Sequence, residues 1–148
     1  MRGFTLIELV FVLIIIGILS AVGAGYIYNS ENVVLSDAKL LKQKLLEKRS
    51  NALGFIADMS NADEKNSVCL KINKNDLSKD TDKVKYIFKS DNINSPYSEL
   101  CFDSFGRVYY DDVNISNLIH NEFNISLTYK ENTKIITVYP ISGYVKVW

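Results

Sequence analysis

The sequence predicts an α+β fold: a long N-terminal helix, membrane-spanning and then amphipathic, packed on a mostly antiparallel β-sheet head. Three observations predict it. No charged residue lies between Leu9 and Ser30, an apolar stripe at helical spacing follows, and the second half consists of short β-branched and aromatic runs divided by turn-forming residues. With 148 residues, one small domain is expected; 17 Lys and Arg balance 17 Asp and Glu, which excludes a bulk electrostatic footprint for nucleic acid or anionic lipid.

The run Leu9-Val10-Phe11-Val12-Leu13-Ile14-Ile15-Ile16-Gly17-Ile18-Leu19 is almost wholly aliphatic. At about 1.5 Å per residue, roughly 20 such residues span a bilayer core. Arg2 lies on one side with no comparable basic cluster just beyond, so the positive-inside bias places the N-terminus in the cytoplasm and the chain after Ser30 outside. A cleaved secretory signal is a rival reading, since Ala21-Val22-Gly23 offers small residues behind an apolar stretch, and a plain single-pass anchor is another. Glu8 counts against the signal peptide: a carboxylate heading an apolar run costs about 2.5–3.5 kcal/mol at mid-membrane and needs a partner or a task.

Arg2-Gly3-Phe4-Thr5-Leu6-Ile7-Glu8-Leu9 resembles the processing site of type IV prepilins and type II secretion pseudopilins. The resemblance implies cleavage by prepilin peptidase after Gly3, N-methylation of Phe4 as the first mature residue, and an assembly role for Glu8 as the fifth. In that family the carboxylate meets the free amine of a neighbouring subunit inside the membrane, a partner suited to a charge in a low-dielectric setting. The implied fold is type IV pilin-like. Where many major pilins carry a helix-weakening Pro, this chain has Gly23-Ala24-Gly25, which permits either a bend or close helix approach in lipid.

The expected organisation is a leader at 1–3, a transmembrane helical segment at 4–30, an amphipathic extension at 31–57 and a β-rich globular head at 58–148. In the extension Val34, Ala38, Leu41, Leu45, Ala52 and Ile56 share one helical face, while Lys39, Lys42, Lys44, Glu47, Lys48 and Arg49 are expected on solvated faces. Asp58 to Asn66 reads as a loop.

In the head, strands are expected at Val68–Asn73, Val84–Lys89, Glu99–Asp103, Arg107–Tyr110, Ile125–Lys130, Lys134–Tyr139 and Tyr144–Val147. Lys74 to Lys83 and Asn92 to Pro96 read as turn-forming pieces between them, and Asn114 to Asn121 as a short helical turn or a loop. Cys69 and Cys101 fall in expected strands of the exported half, where an oxidising compartment permits a disulfide; two buried free thiols are the alternative. Cys101 to Val108 and Ile135 to Val147 are similar to the C-terminal half of H-type minor pseudopilins and related minor pilins. Relatives often carry a basic residue directly after the last glycine, whereas this chain has Tyr144 and then Lys146 two positions on; Arg107 and Lys146 are the candidate DNA contacts.

No Gly-rich phosphate loop, metal-binding His pair or nucleophile signature occurs, and His120 is the lone histidine, so neither catalysis, a cofactor nor a metal site is expected. The resemblance implies a structural subunit of a filament-like machine. Its partners would be prepilin peptidase, other pilins or pseudopilins, membrane lipid and, indirectly, an inner-membrane platform with its cytoplasmic ATPase. The expected location is the bacterial inner membrane, with the head periplasmic and the subunit assembled into a periplasmic or surface filament. Type II protein secretion is the favoured machine; a competence system drawing in DNA and a pilus for adhesion or motility are the alternatives.

Overall fold

Apolar residues at helical spacing organise the head around one helix. The computed structural model describes residues 5–27, 30–73 and 88–148, with side chains at 23–27 left outside that description. Helix α1 covers Leu6–Ile27 and α2 covers Ser30–Ala52. Val34, Ala38, Leu41, Leu45 and Ala52 of α2 are all fully buried, so the stripe is the face laid on the sheet. Each fully buried Leu or Val contributes roughly 1.5–3 kcal/mol. α2 ends where Gly54 adopts a left-handed backbone (φ 75°), a conformation that glycine takes without steric cost.

That ending corrects the expected stripe at its last member. Ile56 lies past the helix and is 88% exposed. Two expected solvent-facing lysines are also corrected: Lys44 and Lys48 are buried, and Lys48 Nζ donates to the carbonyl of Asn66 at 2.6 Å. A long aliphatic stem lets lysine cover apolar surface while its ammonium finds a carbonyl. Asp37 is buried as well, and its Oδ2 accepts from the backbone N–H (2.6 Å) and hydroxyl (2.7 Å) of Ser90, tying α2 to the segment before the second sheet strand.

The stretch read as a loop before the first strand contains helix α3, Ala62–Val68. Asn61 caps it, accepting from Asp63 N–H at 3.0 Å, and Glu64 reaches back to Asn61 Nδ2 at 3.3 Å and to Asp58 N–H at 2.8 Å. The capped turn overrides the polar composition that suggested a loop.

The strands form two sheets where one was expected. In the first, β1 (Cys69–Lys71), β3 (Glu99–Phe102) and β4 (Val108–Tyr110) run in the order β1-β3-β4. In the second, β2 (Asn92–Asn94), β5 (Phe123–Tyr129), β6 (Asn132–Tyr139) and β7 (Tyr144–Val147) run in the order β2-β5-β6-β7. All pairings are antiparallel. α2 packs on β5, β6 and β7, and also touches α3, β1 and β3. The core between them includes Ile125, Leu127, Ile136, Val138, Leu100 and Val108, all fully buried.

β2 is a further correction, since Asn92 to Pro96 carries turn-type residues. Its pairing of Ile93 with Leu127 recruits it to the edge of the sheet despite its composition. The expected strand at Val84–Lys89 lies mostly outside the described residues, as does the whole turn from Lys74 to Lys83. Within 114–121 a single 3₁₀ turn, Ile115–Asn117, forms behind Asn114.

Candidate processing and assembly site

α1 begins at a threonine that can close its first turn. The Thr5 carbonyl accepts from Leu9 N–H at 3.3 Å, and both Thr5 N–H and Thr5 Oγ1 donate to Glu8 Oε2 at 2.9 Å. Thr5-Leu6-Ile7-Glu8 thereby forms the half of a capping box in which the acidic residue returns to the backbone N–H of the cap. Glu8 has a partner within its own chain, beside the neighbouring-subunit amine that the prepilin resemblance implies. Thr5 is not singled out by the processing motif, and the Thr-x-x-Glu spacing is its signal in the sequence.

From Leu6, 82% exposed, to Val22, 69% exposed, large apolar side chains stand open to solvent. No charge interrupts the face after Glu8. The Ser20 hydroxyl returns to the Ile16 carbonyl at 2.7 Å, so the one strongly polar side chain in this part of the helix is satisfied within it. An exposed apolar surface of this extent requires another apolar phase, either lipid or further helices. Gly3 and Phe4 lie outside the described residues.

Residues 1–24 match the model of the prokaryotic N-terminal methylation motif, the type IV prepilin signature. The chain carries the N-terminal signature of type IV prepilins. No curated protein and no solved structure matches it. The motif implies processing by prepilin peptidase and assembly with other pilins. Among the described residues no helix is long and apolar enough to cross a membrane; the described side chains of α1, Leu6 to Val22, cover about 25 Å of helix against a bilayer core of about 30 Å.

In the head, Cys69 and Cys101 are cross-strand partners on β1 and β3 and are joined by a disulfide with an S–S distance of 2.04 Å. Both are buried. The bridge fixes the small sheet beside α3.

The candidate DNA-contacting residues stand in different settings. Arg107 follows a tight turn organised by Asp103, whose Oδ1 accepts from Phe105 and Arg107 N–H at 3.0 and 2.8 Å. Asp103 Oδ2 binds the guanidinium through Nε at 2.7 Å and through Nη2 at 2.6 Å, and also accepts from the Tyr109 hydroxyl at 3.1 Å. The hydrogen bond that the Arg107 guanidinium donates to Asp103 holds it more firmly in its charged form than usual, with burial opposing and the nearby charge adding. Its charge is thus already matched by a carboxylate. Lys146, on β7, places Nζ 3.1 Å from the Trp148 ring centre in a cation–π contact.

Proposed function

We propose that the chain is a minor pilin or pseudopilin, cleaved after Gly3, methylated on Phe4 and assembled into a filament through its N-terminal helix. The observation that carries this reading is the prepilin signature at residues 1–24 joined to a helix whose apolar side chains lack cover in the monomer. Residues 4–30 anchor the unassembled subunit in the bacterial inner membrane, N-terminus cytoplasmic and head periplasmic. In the filament the same side chains pass from lipid to neighbouring helices, so extraction exchanges one apolar surrounding for another. Work for that step comes from a cytoplasmic ATPase acting through the membrane platform.

Glu8 has two partners in sequence on this reading. Before assembly Thr5 holds it; after cleavage Thr5 is the second residue of the mature chain, and the carboxylate is presented to the amine of a neighbour. Replacing Glu8 by Ala leaves cleavage intact and impairs filament assembly.

Type II protein secretion is the machine we favour, supported by the likeness of Cys101 to Val108 and Ile135 to Val147 to H-type minor pseudopilins. The neutralisation of Arg107 by Asp103 weighs against a DNA-binding stripe through that residue. A clean deletion strain tests the assignment by measuring export of extracellular proteins beside entry of labelled DNA into a nuclease-protected state. Lost export with normal DNA entry is expected; lost DNA entry with intact export would move the chain to a competence system.

A further inference from the structure

The sequence holds two Asn-x-Ser tripeptides, Asn114-Ile115-Ser116 and Asn124-Ile125-Ser126. Each also carries an acidic residue two positions before the asparagine, Asp112 and Glu122. Asn-x-Ser/Thr without proline at x is the acceptor for N-linked glycans and marks a surface loop in exported chains. In a chain rich in asparagine the tripeptide alone says little, but the fold separates the two copies sharply.

Asn114, Ile115 and Ser116 are all exposed, Ile115 to 74%. They occupy the connection between β4 and β5, at the 3₁₀ turn Ile115–Asn117. Asn114 Oδ1 accepts from Ser116 N–H at 3.2 Å, which folds the tripeptide into a turn and aims Nδ2 outward, where it donates to no described residue. The Asp112 side chain is likewise without a described hydrogen bond or ion pair. Asn124 is placed differently. It lies within β5 opposite Thr137, whose hydroxyl donates to Asn124 Oδ1 at 2.8 Å; Ile125 is fully buried, and Ser126 is paired with Ile135 on one side and Asn94 on the other. Presenting that copy to an enzyme would require stripping a central strand from its sheet.

We infer that Asn114 is an N-glycosylation site and that Asn124, despite the same local sequence, is not. The donor is an oligosaccharide linked to a polyprenyl diphosphate, and the catalyst is a membrane oligosaccharyltransferase facing the exported head. Asn114 Nδ2 attacks the anomeric carbon, forming a C–N bond. The C–O bond to the diphosphate breaks, the lipid diphosphate leaves with the electron pair, and one amide proton passes to a carboxylate of the transferase. Nothing is oxidised or reduced. The glycan so placed covers the exposed Ile115 turn on the head's surface, away from the N-terminal assembly helix in sequence. The inference rests on the export of the head proposed above.

The test is site-resolved mass spectrometry of the full chain isolated from its native cells, beside Asn114→Gln, Ser116→Ala and Asn124→Gln chains. Trypsin leaves both tripeptides in the peptide 108–130, so a second cut after Glu122 separates them. The expected result is a saccharide mass increment on the Asn114 fragment, absent from the Asn114→Gln and Ser116→Ala chains and retained in Asn124→Gln. An unmodified Asn114, or an increment on Asn124 alone, overturns the proposal. The same digest reports the Cys69–Cys101 pair: a bridged pair with bare Asn114 overturns glycosylation alone, whereas free thiols with bare Asn114 overturn it together with export.

Discussion

Gly143 leaves the space through which the Arg49 side chain passes. A Cβ built on Gly143 would stand 2.7 Å from both Arg49 Cδ and Nε and would collide with the carbonyl of Gly106, itself a glycine at φ 78°. Gly143 has φ 62°, so an L side chain there is strained by conformation as well as by contact. The end of α2, the Asp103 turn and the β6–β7 turn are in this way packed backbone against side chain.

Gly143→Ala should therefore destabilise the head by about 1–3 kcal/mol. Urea unfolding measures it. Adding Arg49→Ala should recover part of the loss, because the deleted side chain relieves one of the two contacts; strict additivity would show that Arg49 is not what Gly143 accommodates.

The Cys69–Cys101 bridge closes a loop with a sequence separation of 32. Cys69→Ser, or reduction of the wild type, should lower stability by about 2–4 kcal/mol, chiefly by freeing the unfolded chain. The check is paired denaturation with and without reductant, in which the reductant should have no effect on the variant.

Tyr109 should make stability fall at alkaline pH. Only 3% exposed, it has its phenol raised above the ordinary value, first by burial, then by the negative charge of Asp103 and the hydrogen bond it donates there, with Arg107 opposing. A raised folded value means the fold prefers the protonated phenol. That contribution is complete below the ordinary tyrosine value of about 10 and is lost as pH rises through the higher folded one. Urea midpoints from pH 9 to 11.5 should fall less steeply for Tyr109→Phe than for the wild type; equal slopes would remove Tyr109 as the cause.

Periodicity made most of the fold legible. The α2 stripe from Val34 to Ala52 was readable because those side chains face one core, and β7 was readable at its observed bounds because Tyr144 to Val147 is β-prone and follows a glycine turn. β2 was not legible, since Asn92 and Asn94 read as turn residues and only pairing with β5 makes them a strand. The burial of Lys44 and Lys48 was hidden because charge predicts exposure until a carbonyl such as that of Asn66 is near. At the candidate site, Gly3, Phe4 and Glu8 are candidates through their places in the motif at residues 1–24. The Asn61 cap is masked by the polar, loop-like composition of Asp58 to Asn66, and the Thr5 cap by a motif that points Glu8 to a neighbouring subunit.

The central claim concerns the N-terminus, and the N-terminal peptide of the chain from cells that contain prepilin peptidase tests it most directly. Mass spectrometry should find a mature chain that begins with N-methylated Phe4. A chain that still carries Met1 to Gly3 under those conditions would contradict the account.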